Sequence, residues 1–329
     1  MNKLQNNPFN RVVLDRRSFV SGGFLAAAGI AGCRSLRTRA ARGPADNTSV
    51  LISDLHVGAN RKFAYTQERL IKVVDAILAM DPKPDNVICF GDVALTYGLG
   101  DDYDVSKPIL QRIVDAGIKL TLTLGNHDRR SEFLKRWPEY VKSSPVPGRV
   151  VSVVDLGTAD LVLLDALKGA DDRAPNDMGP VEGTLDPAQL AWLESFVANA
   201  KRPFFVGSHQ FMDLHIDGPK PIKRIATSQC ALGWIYGHDH QWSASMHVAS
   251  WKESRILPAL ALPSTGLWGD IGYVTLGTNA SGAVFELHQD DFYFRTPTAV
   301  SPRPAFWDAR VRDNQGLVMH FPYQRNDIS

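Results

Sequence analysis

Apolar strand segments alternating with amphipathic helices predict an α/β domain built on a parallel sheet, and three observations carry that reading. Five short apolar runs, Val50–Ile52, Val87–Phe90, Leu120–Leu124, Phe204–Val206 and Trp234–Tyr236, have the length and character of buried strands. Helical spacing appears in three segments among them. Each strand then runs into a polar cluster, which places a site beyond the strands' carboxyl ends, where parallel sheets carry theirs.

The helices follow from their patterns. Tyr65 to Met80 repeats apolar residues at helical spacing (Leu70, Ile71, Val74, Ile77, Leu78) and stops at Asp81-Pro82. Ser106 to Ala116 reads as a second helix closed by Gly117, and Asp186 to Ala200 as a third, with Asp186 as its cap and Pro187 in first position. After His240 the pattern is β alone: Ala244–Val248, Ile256–Leu262, Gly272–Leu276, Ala283–His288 and Phe292–Thr296. From Pro297 the tail is Pro-rich and then irregular, and no element is assigned to it. The chain divides into residues 1–42, a domain over 43–296 and an extension over 297–329 packed on it or trailing from it. With 44% apolar residues the central part suffices for one large domain with a full core. Cys89 lies in an apolar strand, and nothing indicates a disulfide framework.

The polar clusters carry the chemistry. They are Asp54-Leu55-His56, Gly91-Asp92, Gly125-Asn126-His127-Asp128, His209 and Gly237-His238-Asp239-His240. Residues two apart on an extended strand project to one side, so Asp54 and His56 can grip one ion together, as can His238 and His240. Carboxylate, imidazole and amide oxygen suit Zn, Mn or Fe. Asp54, His56, Asp92, Asn126, His209, His238 and His240 are too many for one tetrahedral ion and enough for two.

The order D-x-H, GD, GNHD, H, GHxH resembles the calcineurin-like metallophosphoesterase superfamily, over Asp54 to His240. The resemblance implies a two-sheet αββα sandwich, with the strands after His240 as its second sheet. It implies one transition metal on Asp54, His56 and His240, a second on Asn126, His209 and His238, and Asp92 bridging them. Two such metals clamp the attacking and leaving oxygens of a phosphoryl displacement and help water ionise near neutral pH. His127 would face the substrate, steadying phosphoryl oxygens or protonating the leaving oxygen, with Asp128 orienting and charging its ring. The alternative is a surface-anchored binding protein on an inactive phosphoesterase scaffold.

Other residues have plainer readings. His215, His247, His288 and His320 lie outside the motif and read as surface or filler. Asp239 alternates away from its neighbours and reads as solvated or as supporting a ligand. Arg129 and Arg130 either fork a phosphate or form a solvated turn. The segment between Lys168 and Thr184 and the loop of Trp242 read as a rim with Trp268 nearby, where an aromatic either stacks a base or only packs.

Arg16-Arg17-Ser18-Phe19-Val20 precedes an uncharged stretch, Ser18 to Gly32, that is too short to span a membrane and looks like a twin-arginine (Tat) export signal. Ile30-Ala31-Gly32-Cys33 resembles a bacterial lipobox with Cys33 as the lipidated residue; cleavage after Ala40 competes with it. The expected location is therefore periplasmic, or membrane-anchored through lipid if Cys33 is acylated. Residues 1–42 hold eight Lys/Arg and one acid, which leaves 28 basic and 34 acidic groups on the rest. That negative surplus argues against nucleic acid as partner; the resemblance implies a small phosphoester as substrate. The spacing is similar to the branch with class III cyclic-nucleotide phosphodiesterases. Purple acid phosphatases place a tyrosine iron ligand where this chain has Leu95, with Tyr97 too far along. Phosphomonoesters, phosphodiesters and lipid or teichoic-type head groups all stay open, and the sequence is silent on oligomeric state.

Overall fold

The computed structural model describes residues 47–168, 183–211, 224–225, 227–250, 255–267, 269, 271–280, 282–289 and 318–322. The twin-arginine segment, Cys33, His215, Trp268, most of the loop between Lys168 and Thr184, the expected strand Phe292–Thr296 and most of the tail lie outside the described residues.

Strands β1 (Asn47–Ile52), β2 (Asn86–Cys89) and β3 (Lys119–Leu122) pair in parallel, connected by helices α1 (Ala64–Leu78) and α2 (Gly100–Asp115). Two short helices follow, α3 (Arg130–Arg136) and α4 (Glu139–Ser143). The second sheet opens with the antiparallel pair β4 (Ser152–Asp155) and β5 (Asp160–Leu163) and continues through α5 (Pro187–Asn199) to β6 (Phe204–Ser208) and β7 (Ala231–Tyr236). Strands β8 (Ser243–Ser250) and β9 (Arg255–Ala261) extend this sheet, in which β5, β6, β7 and β9 are parallel. Strands β10 (Gly272–Asn279), β11 (Gly282–Gln289) and β12 (Val318–Pro322) return to the first sheet, giving the orders β12-β11-β10-β1-β2-β3 and β4-β5-β6-β7-β9-β8.

The strands alternate in which core they feed. Val50 and Ile52 of β1 and Val87 and Cys89 of β2 pack outward with Leu70 and Val74 of α1 and Leu110 and Ile113 of α2. Leu51, Ile88 and Phe90 point the other way, between the sheets, where they meet Phe205, Ile235 and Phe285. Phe204, Val206, Trp234 and Tyr236 face the opposite outer layer with Leu190 and Leu193 of α5. This period of two on both sheets produces helix, sheet, sheet and helix layers. The expected αββα architecture is thus present.

Four expectations change. The strands after His240 do not form the second sheet by themselves. β8 and β9 join β7, while β10 lies antiparallel beside β1 and sends Val274 and Leu276 into the space between the sheets. Alternation in β10 marks a half-buried strand but carries no information about the edge it pairs with. Helix α2 begins at Gly100, not Ser106, with Pro108 in its interior and Asp101 and Asp102 in its first turn, where acidic groups meet the positive end of the helix dipole. The tail contributes β12, five residues paired with Gly282 to Glu286 and too short to stand out in an irregular segment. Trp242 is buried between the sheets at 2% exposure and forms no rim. Asp186 caps α5 as expected, accepting from the Gln189 backbone N–H.

Candidate metal centre

Both sheets present the carboxyl ends of their parallel strands to one place. β1 runs into Asp54 and His56, β2 into Asp92, β3 into Asn126 and His127, β6 into His209, and β7 into His238 and His240. The backbone there is not extended. Asp54 (φ 54°), His56 (45°), Asp92 (51°), His238 (66°) and His240 (52°) are the non-glycine residues with positive φ among the described residues. Left-handed backbone at residues with a side chain costs on the order of 1–3 kcal/mol each and concentrates at functional sites. Asp54 and His56 therefore converge because the chain turns sharply after β1, not because they alternate along a strand. The same holds for His238 and His240.

Two of the glycines permit close approach. A side chain at Gly125 would lie 2.0 Å from Asp92 Oδ1, and one at Gly237 would lie 2.0 Å from Ser53 Oγ. Only glycine lets the Asp92 carboxylate and the Ser53-Asp54 pair sit where they do.

The donor atoms meet in two groups. Asp54, His56 and His240 offer ligand atoms within 4.8 Å of one another, as do Asp54, Asp92 and His209. Asp54 Oδ1 lies 3.0 Å from His240 Nε2. His56 Nε2 and His240 Nε2 lie 3.1 Å apart. Asp92 Oδ2 links the second group to the first, 3.1 Å from His209 Nε2 and 3.6 Å from His56 Nε2. Asn126 Oδ1 lies 2.9 Å from His209 Nε2 and 2.9 Å from His238 Nδ1.

Backbone carbonyls orient the rings. His56 Nδ1 pairs with Leu95 O at 2.9 Å, His127 Nδ1 with Thr96 O at 3.0 Å and His209 Nδ1 with Phe90 O at 2.8 Å. A ring whose Nδ1–H is held this way directs Nε2 inward. On Asp54, Oδ2 accepts from the Ser53 hydroxyl at 2.6 Å and both oxygens share the His238 N–H, at 3.0 and 3.2 Å, so Oδ1 is the atom left to face the ring nitrogens. Ser264 Oγ and the Gly266 N–H both bond the Asp54 carbonyl, and Arg69 in turn holds the Gly266 carbonyl.

Charge in the site is dense and dry. Burial opposes ionisation of Asp54, yet His240 and His209 hold its carboxyl below the usual range. Burial likewise opposes Asp92, and His209, His127 and His56 hold it well below. Burial pushes His56 down to about 4, so its ring is neutral and Nε2 carries a lone pair. Burial works against charge on His209, but Asp92 and Asp54 raise it to about 9. Two buried carboxylates thus draw positive charge to this point, and imidazole nitrogens and an amide oxygen surround it. Such oxygen and nitrogen donors fit two first-row transition cations.

The expected pairing of Asp128 with His127 is absent. The Asp128 carboxylate accepts from the N–H groups of Val93 (3.2 Å), Ala94 (3.0 Å) and Gly125 (2.8 Å) and from the Tyr103 hydroxyl (2.9 Å). Its side chain is spent on backbone donors, and Thr96 takes its place at the imidazole. Arg130 is also committed, with Nε and Nη2 on the Asp165 oxygens at 3.0 and 2.9 Å, which rules out its phosphate-binding reading. Asp239 is half-buried beside the histidines. His288 stacks on Tyr273 outside the centre. Ser53, Ser264, Arg69 and Tyr103 had no motif to reveal them; the only local signal was the small hydroxyl residue next to Asp54.

The family model of the calcineurin-like phosphoesterases matches residues 48–242. The chain belongs to the calcineurin-like phosphoesterase family. Among relatives of this phosphoesterase, a "probable cyclic nucleotide phosphodiesterase" of Rhodopseudomonas palustris is 34% identical over 167 residues, 49% of this chain. The match covers 56% of that relative's length. A dimetal phosphatase from Danio rerio superposes with a TM-score of 0.58 at 14% identity, covering 75% of this chain and 97% of its own. That likeness shows the shared two-sheet phosphoesterase fold.

Proposed function

We propose that the chain is a binuclear metal-dependent phosphoesterase acting on phosphodiesters. The observation that carries the reading is the pair of buried donor groups that share Asp54, with Asp92 of the second group reaching His56 of the first. Asp54, His56 and His240 would hold one cation, Asn126, His209 and His238 the other, and Asp92 would touch both. Bound there, two cations would favour ionisation of a water and offset the charge on phosphoryl oxygens.

The protein's own groups do the rest. His127 keeps Nδ1–H on the Thr96 carbonyl, so Nε2 is the atom left for the substrate, and with a second proton on the ring it can protonate the leaving oxygen. Asp92 Oδ1 accepts from the His127 backbone N–H at 2.8 Å, tying that imidazole to the centre. The diester preference is supported by the name of the Rhodopseudomonas palustris relative. Export through Arg16-Arg17, with Cys33 as lipid anchor, is supported by the leader's residue pattern, and would direct the enzyme to diesters outside the cytoplasm.

Elemental analysis of the purified chain, with turnover of bis-p-nitrophenyl phosphate and p-nitrophenyl phosphate before and after chelation, tests this. Close to two metal equivalents and faster, chelator-sensitive diester cleavage are expected. Two bound metals without turnover would make the chain a binding module; activity untouched by chelation would sink the mechanism.

A further inference from the structure

Tyr103 is wholly buried near the start of α2, and its hydroxyl bonds none of the seven clustered donors. It donates to Asp128 Oδ1 at 2.9 Å and accepts from the Arg129 backbone N–H at 2.9 Å. The same carboxylate takes the N–H groups of Val93, Ala94 and Gly125. One phenol and one carboxylate therefore bind the loop bearing Asp92 to the loop bearing Asn126 and His127. The neighbouring Asp102 accepts from the Ala59 N–H at 2.8 Å and from the Leu95 N–H. Leu95 and Thr96, whose carbonyls orient His56 and His127, are thus steadied from the same turn of helix.

We propose that Tyr103 is a positioning residue: through Asp128 and the Arg129 N–H it holds His127 at the point, relative to Asp92, where the imidazole meets the substrate's leaving oxygen. The inference rests on the phosphoesterase reading above. Without the hydroxyl, Asp128 Oδ1 and the Arg129 N–H lose a buried partner, and the Gly125–Arg129 turn is held by fewer bonds. Displacement of a proton donor by a fraction of an ångström slows the step it serves while leaving ground-state binding alone.

Tyr140 supplies the control. Its hydroxyl donates to the Leu120 carbonyl at 2.8 Å, away from the site loops, so its removal costs one hydrogen bond with no link to His127. The full chain loaded with Mn²⁺ is assayed with bis-p-nitrophenyl phosphate and with diphenyl phosphate, whose phenolate leaves less readily and needs its proton more. Tyr103→Phe is expected to keep both metals and its KM, and to lose roughly 10–100-fold in kcat on the first ester and more on the second. Tyr140→Phe is expected to lose stability without losing kcat. Asp128→Asn, which cuts the same link from its other end, is expected to repeat the leaving-group-dependent loss and serves alone if Tyr103→Phe does not fold. Equal kcat in the Tyr103→Phe and Tyr140→Phe forms, or equal losses on both esters, overturns the inference. A wild-type chain that cleaves neither ester overturns the phosphoesterase reading and this inference with it. An active wild type matched by Tyr103→Phe overturns this inference alone.

Discussion

The side chains of this site differ in what their removal should do, because they differ in how many partners they serve. Asp92 faces His209 and His56 with one oxygen and the His127 backbone N–H with the other. Asp92→Ala should therefore lose metal and activity together, read by elemental analysis and turnover on one sample. His127 meets no such demand: its Nδ1 is satisfied by Thr96. His127→Ala should keep both metals while kcat falls by roughly 10²–10⁴, the range for a lost general acid. If His127→Ala instead comes off the column without metal, His127 is a ligand and the division of roles is wrong. Residue types and order suggested both roles before any coordinates. The left-handed turns at Asp54, His56, Asp92, His238 and His240 were not readable, because nothing in aspartate or histidine announces positive φ. They exist because surrounding bonds, such as those from Ser53 and His238 to Asp54, outweigh the local strain.

Single elements are held by bonds that leave chemistry alone. Asp186 caps α5 through the Gln189 N–H at 2.8 Å, so Asp186→Ala should lower stability by about 1 kcal/mol with kcat unchanged. Asp165 is a graver case. It is fully buried, takes two bonds from Arg130 and one from the Val150 N–H, and accepts also from the Leu167 N–H. Asp165→Ala would leave the Arg130 guanidinium buried without its counter-ion and should cost roughly 3–5 kcal/mol in denaturant unfolding. A loss under about 1 kcal/mol would mean that water or another acid reaches Arg130. The helix starts show the same division of legibility. Asp186-Pro187 is a local signal and was read correctly, whereas Gly100 has no cap of its own. α2 starts there because Asp102 and Tyr103 are anchored to distant loops.

At the scale of the whole molecule, the site belongs to neither sheet alone. His209 from the second sheet bonds the Phe90 carbonyl of the first, and Thr123 beyond β3 bonds the Leu164 carbonyl beyond β5. Metal that bridges donors from both sheets binds the folded chain only, and each site filled at a hundred times its Kd adds about 2.7 kcal/mol. Chelation should lower the melting midpoint, and Mn²⁺ should restore it; a midpoint indifferent to both would count against the metal centre. The proposed export leader is testable separately. Arg16→Lys with Arg17→Lys should leave precursor in the cytoplasm, and Cys33→Ala should release the domain from membranes without loss of turnover. Mass spectrometry showing an unmodified N-terminus near Ala41 would refute the anchor.

The chain's sequence alone determined the layered α/β class, the five clusters at strand ends and the metal-type donor set, since each depends on residues near in sequence and on their chemistry. Tertiary structure alone decided that β10 to β12 complete the first sheet, that Trp242 is core and Arg130 an ion-pair partner, and that Thr96 rather than Asp128 orients His127. Those outcomes depend on which distant groups share a buried space, as between Arg130 and Asp165. A hydrogen bond across 31 residues, such as that from His127 to Thr96, leaves no periodic trace in the chain that makes it.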